Sequence, residues 1–226
     1  MNKRLAYAAA AAASAALTVA AWRHWIGLDL TETLGFVTGG WCVWLTVKEN
    51  VWNWPIGIAN SVFFAVLFWN SRLFADMGLQ VAYIILGFLG WYWWLKGGDH
   101  KTELKVSATP VREWAVILPL AALATWGMSA YLARIQDAAP FLDALTTVMS
   151  LVAQYLLTKK YVENWFVWIA ADVIYIGLYA YKDLYLTSVL YFVFLCMCVA
   201  GLKEWQRSKK AAASPVVTAP AYAEAL

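Results

Sequence analysis

Charge is what this sequence has least of. Only 14% of its 226 residues are Asp, Glu, Lys or Arg, where a soluble domain carries about a quarter, so most of the chain is not built to face water. Histidine is scarcer still. His24 and His100 both fall in polar connecting stretches, which leaves no histidine-based metal site and no buried proton relay. The three cysteines, Cys42, Cys196 and Cys198, sit inside apolar runs; such residues act as small apolar fillers rather than disulfide partners or metal ligands. No cofactor and no metal are expected. The net charge of +3 is spread over the connections, unlike the clustered basic face of a nucleic-acid reader. No G-x-x-x-x-G-K-[ST] loop, G-x-S-x-G elbow or H-E-x-x-H pair occurs, which excludes phosphate-loop ATP hydrolysis and the commonest hydrolases. Without a nucleophile–base pair no catalytic residue is assigned. Only one acid, Asp172, stands near the middle of an apolar run, so a proton-pumping chain of acids finds no support.

What the sequence has in quantity is apolar length, with 63% hydrophobic residues. A helix needs about 20 apolar residues to cross roughly 30 Å of hydrocarbon. Eight segments approach this: Leu5 to Trp22, Leu30 to Val47, Trp54 to Asn70, Ala75 to Leu95, Glu113 to Ala133, Phe141 to Leu157, Asn164 to Tyr181 and Leu184 to Leu202. Lipid cannot satisfy open backbone groups, so these are helices, and the fold class is an all-α polytopic membrane protein. Pro55 and Pro140 fall at helix starts, where a missing N–H costs nothing, and Pro119 is expected to kink the fifth helix. If all eight segments span, one side receives 13 of the 17 Lys and Arg residues and the other receives 4. The positive-inside rule then places both termini in the cytoplasm. Lys3 and Arg4 before an alanine-rich run resemble a signal peptide, but no small-x-small site precedes the cluster Trp22–His24–Trp25, which favours an extra, peripheral N-terminal helix over 1–26. After Lys210 the composition is that of a disordered tail, and 206–226 is taken as a cytoplasmic one.

A shift of 111 residues lays the second to fourth segments on the sixth to eighth without a gap. Identities include Lys48/Lys159, Asn53/Asn164, Trp54/Trp165, Gly90/Gly201 and Trp94/Trp205. Three helices per unit is an odd number, so the fifth segment must return the chain for both units to enter from the same side. The expected plan is a three-helix unit at 30–96, a loop and linker helix at 97–134, and a second three-helix unit at 141–205, the two units being parallel. Transporters built from such repeats bind their solutes near the midplane between them.

Polar groups at membrane depth are costly and mark candidate sites. Trp165, Trp168, Asp172, Tyr175 and Tyr179 follow one another at spacings of 3, 4, 3 and 4, one helical stripe. A carboxylate among such aromatics can hold a polar or cationic ring; a packed interface with a buried acid is the competing reading. In the first unit Asn60 and Gln80 offer uncharged donors and acceptors, or serve as interhelical glue. Their depths differ by roughly 13 Å at 1.5 Å per helical residue, which argues against one molecule touching both. Gln80 shares a stripe with Tyr83, Gly87, Trp91 and Trp94. Gln154 and Phe64 complete the candidate set. Asn164, at a helix start, reads as a cap. The tryptophans, Trp22, Trp25, Trp91, Trp93, Trp94 and Trp205 among them, read as membrane-interface markers.

Two stretches carry a family resemblance. Trp54-Pro55-Ile56-Gly57-Ile58-Ala59-Asn60, followed by Leu79-Gln80-Val81 and Gly90-Trp91-Tyr92-Trp93-Trp94, resembles the first half of the bacterial PnuC family. Lys160-Tyr161-Val162-Glu163-Asn164-Trp165, with Trp168 after it, looks like that family's signature before the penultimate helix. The likeness runs from about Leu30 to Trp205. It implies an inner-membrane vitamin transporter for nicotinamide riboside, a SWEET-like three-plus-one-plus-three fold, a homotrimer, and uptake driven by a separate intracellular kinase. It points to Asn60, Gln80, Trp168 and position 172 as solute contacts. The family also shows Asn at the last of these, where this chain has Asp172. Related transporters of thiamine or riboflavin share the architecture. A carrier of another solute and a non-transporting membrane scaffold are the alternatives.

Overall fold

The structure is a computed structural model, and it describes residues 3–25, 27, 30–70, 72, 74–136, 139–181, 183 and 185–213. Among these residues there are eight α-helices and no β-strand: α1 (Lys3–Trp22), α2 (Leu30–Val47), α3 (Asn53–Asn70), α4 (Phe74–Lys96), α5 (Val111–Arg134), α6 (Pro140–Thr158), α7 (Asn164–Tyr181) and α8 (Tyr185–Ala213). Seven of them begin and end within two residues of the apolar segments, because hydrocarbon-length apolar runs leave the backbone no other partner. The exception is α8. It continues through Gln206 to Ala213, so the first part of the stretch taken as a disordered tail is helical, carried on by the strong helix formers Gln206, Arg207, Lys209, Lys210 and three alanines. Residues 214–226 lie outside the described residues. Pro140 opens α6 as its first residue, and Pro119 lies within α5, which runs as one helix.

The chain is a membrane protein. Met77–Lys96, Val111–Arg134, Pro140–Thr158 and Ser188–Ala212 are each long and apolar enough to cross a membrane by length and composition. Helices α3 and α7 carry the polar residues Asn53, Asn60 and Asp172, and these line interior cavities. Outward, large apolar side chains such as Phe63, Val66, Ile85, Phe88, Leu123, Trp126 and Phe192 stand exposed, a belt that suits lipid.

Helix neighbours close a ring. α2 packs on α3, α3 on α4, α4 on α6, α6 on α7, α7 on α8, and α8 on α2. α5 packs on α6 and α1 on α2, both outside the ring. Many contacts recur 111 residues apart. α2 and α6 end in the same way, with Glu49 and Lys160 in the left-handed region (φ 53° and 56°). In both, the residue after the turn bonds back to the third-last helical carbonyl, Asn50 N–H to Leu45 O and Tyr161 N–H to Leu156 O, at 2.9 and 3.0 Å, a Schellman cap. Neither left-handed residue is glycine, so each costs about 1–2 kcal/mol. Glu49 and Lys160 are themselves 111 apart, and they form an ion pair with each other at 2.9 Å.

The same end holds a four-tryptophan core. Trp54 meets Trp94 edge-on at 5.4 Å and 90°, and Trp165 meets Trp205 at 5.4 Å and 87°. Trp94 and Trp205 then touch at 5.7 Å, joining the two pairs. Trp94 Nε1 donates to Leu157 O at 3.1 Å, and Trp205 Nε1 donates to Thr46 O at 3.0 Å, each reaching into the other half. A Cβ at Gly90 would stand 2.2 Å from the Trp54 ring, and one at Gly201 would stand 2.5 Å from the Trp165 ring, so only glycine admits either indole. Trp94 and Trp205, expected at a membrane interface, are 3% and 0% exposed; inter-helix hydrogen bonds and ring packing override the interfacial preference.

The segment between α4 and α5 lies over this core. Lys160 Nζ donates to Leu104 O at 3.0 Å, and Ser107 pairs with the backbone at Tyr161. One oxygen of Glu163 accepts from both the backbone and the hydroxyl of Thr109, each at 2.8 Å. Glu113 accepts from the hydroxyls of Tyr155 and Tyr161; burial and this carboxylate push the Tyr161 hydroxyl well above its ordinary pKa. One end of the ring is therefore closed by packed indoles and paired charge.

Candidate functional site

Two cavities lie inside the ring, back to back. The first, about 170 Å³, is walled by α2, α3, α4 and α6. The second, about 220 Å³, is walled by α2, α6, α7 and α8. Gly39, Cys42 and Val43 of α2 and Gln154 and Leu157 of α6 line both, so these two helices form the seam between two lobes. Each lobe is smaller than the roughly 300 Å³ at which small-molecule sites begin, and together they reach that range. Two larger hollows run along α5, but residues such as Val116, Leu120 and Val152 make them apolar grooves outside the ring, suited to lipid rather than to a polar solute.

Asn60, Ser61 and Tyr83 supply the polar side of the first lobe, together with Asn53 at the start of α3. Asn60 Nδ2 donates to Gly35 O at 3.3 Å and to the Thr38 hydroxyl, leaving its carbonyl oxygen for other partners. Tyr83 lies beside Ser150 of α6. The second lobe is lined by Asn164, Trp165, Trp168 and Asp172 of α7 and by Tyr191, Phe194 and Cys198 of α8. Asp172 is 5% exposed. The Cys198 thiol lies beside its carboxyl group, while Oδ2 has no partner among the described residues. Six buried polar side-chain atoms have no partner there, and five belong to lobe-lining residues: Asn53 Oδ1, Trp54 Nε1, Asn164 Oδ1, Trp165 Nε1 and Asp172 Oδ2. Buried polar groups are normally bonded, so this concentration makes the lobes the candidate place for a polar guest.

Of the candidates from sequence, Asn60, Tyr83, Gln154, Trp165, Trp168 and Asp172 line a lobe. Tyr175 and Tyr179 do not; they stack on Tyr191 at 4.7 and 5.2 Å and buttress that wall from behind. Phe64 packs against Gly35, and Gln80 lines neither lobe. Asn164 is not the N-cap expected: α7 begins at Asn164, and its Nδ2 donates to Tyr161 O at 2.6 Å instead of its oxygen receiving a helix N–H. Tyr191, Phe194 and Cys198 were missed. Shifted by 111 they are the counterparts of Gln80, Tyr83 and Gly87, so the stripe noticed on the fourth segment pointed to them.

Residues 29–207 match the family described as nicotinamide mononucleotide transporter. The chain belongs to this family. Its relatives include the nicotinamide riboside transporter PnuC of Escherichia coli K12, 28% identical over 212 residues, covering 81% of this chain and 89% of that one. PnuC of Neisseria mucosa is 29% identical over 186 residues, covering 77% and 71%. The riboflavin/roseoflavin transporter RibM of Streptomyces davaonensis is 25% identical over 203 residues, covering 86% and 92%. A crystal structure described as that of the vitamin B3 transporter PnuC superposes with a TM-score of 0.65 at 27% identity, covering 88% of each chain. The PnuC resemblance read from sequence is thereby established, and the protein is a transporter rather than an enzyme. α1 precedes the matched region, whereas the ring and both lobes lie within it.

Proposed function

We propose that this transporter carries nicotinamide riboside across the bacterial inner membrane by facilitated diffusion, with phosphorylation by a separate intracellular kinase keeping the internal concentration low. The observation that supports it most is the pairing of unlike lobes across one seam. Nicotinamide riboside joins a cationic carboxamide-bearing ring to a ribose; the aromatic, acidic second lobe suits the ring, and the amides and hydroxyls of the first suit the sugar. Asn60, Gln154, Trp168 and Asp172 are the contacts assigned, with Trp165 and Tyr83 as walls. A phosphorylated cargo fits less well, since the described residues lining the lobes include a carboxylate and no Lys, Arg or His, and a phosphate dianion needs cationic or N–H donors.

The architecture that goes with this reading is two parallel three-helix units, α2–α4 and α6–α8, joined by α5, with α1 as an addition. The ring of contacts and their recurrence at 111 residues support it. With all eight helices crossing, the lysine-rich, tryptophan-sealed end faces the cytoplasm and the cavities are closed on that side. A homotrimer is the assembly implied by the family resemblance.

Counterflow in proteoliposomes tests the cargo. Labelled nicotinamide riboside should accumulate against unlabelled riboside inside, and riboflavin, thiamine and nicotinamide mononucleotide outside should compete poorly. Exchange driven equally well by riboflavin would transfer the assignment to that vitamin, and no exchange with any of the four would favour a scaffold.

A further inference from the structure

We infer that Asp172 makes the second lobe a charge filter, so that this protein selects cargo by the positive charge on its ring and not by ring shape alone. The inference rests on the riboside reading and goes beyond it, because a carboxamide-bearing six-membered nitrogen ring exists in both charged and neutral forms.

The lobe places one carboxylate in surroundings that offer it almost nothing. Asp172 is buried, one oxygen has no partner among the described residues, and the group beside it is the Cys198 thiol, by its chemistry a weak donor. Around it stand Trp165, Trp168, Tyr191 and Phe194. Among the described residues no basic side chain lines either lobe, so the protein itself supplies no counter-ion. An unpaired acid in an apolar interior is costly unless a cation reaches it, and charges attract strongly where water is excluded. The aromatic faces add to this, since a cation gains attraction to the ring quadrupole on top of the stacking that a neutral ring also gains. Stacking of Tyr175, Tyr179 and Tyr191 holds that wall in place, so the lobe does not collapse onto the acid.

The charge is also one-sided. Shifted by 111, Asp172 corresponds to Ser61 and Trp168 to Gly57, and both counterparts line the first lobe. Only one lobe can take the cation, which fixes the cargo's direction: ring toward α7 and α8, ribose toward Gln154 and Asn60.

The test compares nicotinamide riboside with its reduced dihydropyridine form, which keeps the carboxamide and ribose and loses the charge. Calorimetry on the purified full chain should show the cation binding at least about tenfold more tightly. In Asp172→Asn the preference should fall to within about twofold, through weaker binding of the cation, with an unchanged melting temperature in detergent reporting an intact fold. Asp172→Glu should restore part of the preference. Equal binding of both forms by the unmodified protein, or an undiminished preference in Asp172→Asn, overturns the filter. Should neither riboside bind, the cargo reading fails on its own account; cationic thiamine binding that is lost in Asp172→Asn would then still uphold the filter, and binding of uncharged riboflavin alone would overturn both.

Discussion

The two halves of the ring agree at their closed end and disagree in their cavities. At the closed end the same residues do the same things 111 positions apart: Trp54 and Trp165 lie over Gly90 and Gly201, and Trp94 and Trp205 each donate to a carbonyl of the opposite half. Inward of it, Gly57 lines one lobe where Trp168 lines the other, and Ser61 where Asp172 does. The lesson is a division of labour along the helix axis. Packing is set by pairs that must match, because each indole fits only a glycine-sized gap. The lobes are lined by pairs that differ, as the proposed binding of an elongated guest with unlike ends requires.

The comparison can be broken most severely at Glu49. Glu49→Gln leaves Lys160 largely buried and without its counter-ion, at a cost of about 3–5 kcal/mol seen as a fall in thermal stability in detergent. The exchanged pair, Glu49→Lys with Lys160→Glu, should regain much of that loss, and a double variant no better than the single one would show that the two positions do not compensate. Next come the glycines. Gly90→Ala and Gly201→Ala each press on an indole and should destabilise by roughly 1–3 kcal/mol, to similar extents; a large loss at one and none at the other would break the equivalence. The lobes are separated by ligand affinity. Trp168→Ala should weaken nicotinamide riboside binding by about 2 kcal/mol, some thirtyfold, and Asn60→Ala by less, because the Asn60 amide is already engaged with Gly35 and Thr38. The reverse order, read by calorimetry, would put the ring in the first lobe. The smallest effect belongs to Trp94→Phe and Trp205→Phe, each removing one indole donor for about 1 kcal/mol and leaving ligand affinity unchanged.

All eight helices were legible from apolar run length alone, and the register of 111 was legible from Asn-Trp and Trp identities. The ring order was not. Nothing in the local pattern of α8, apolar on most sides, says that Tyr191, Phe194 and Cys198 look inward, because that depends on α8 closing against α2. Trp94 and Trp205 were misread for a related reason: a tryptophan near a helix end beside lysines is the signature both of a lipid interface and of a buried seam. Their common offset, with Gly90 and Gly201 one turn earlier, was the distinguishing signal. Asn60 and Asp172, which line the lobes, stood out because polar groups are rare at that depth, and Trp168 through its stripe with Asp172, whereas Gln80 and Phe64 sit on the same helices as lobe residues without lining either lobe.

The salt bridge between Glu49 and Lys160 joins a position to its own counterpart. Were either half to assemble with a copy of itself, that meeting point would bring together two glutamates or two lysines, and like charges repel. The contact therefore works as a key of opposite sign, which lets one half recognise the other and refuse its twin. Through this one inverted charge the two halves complement each other on a single chain.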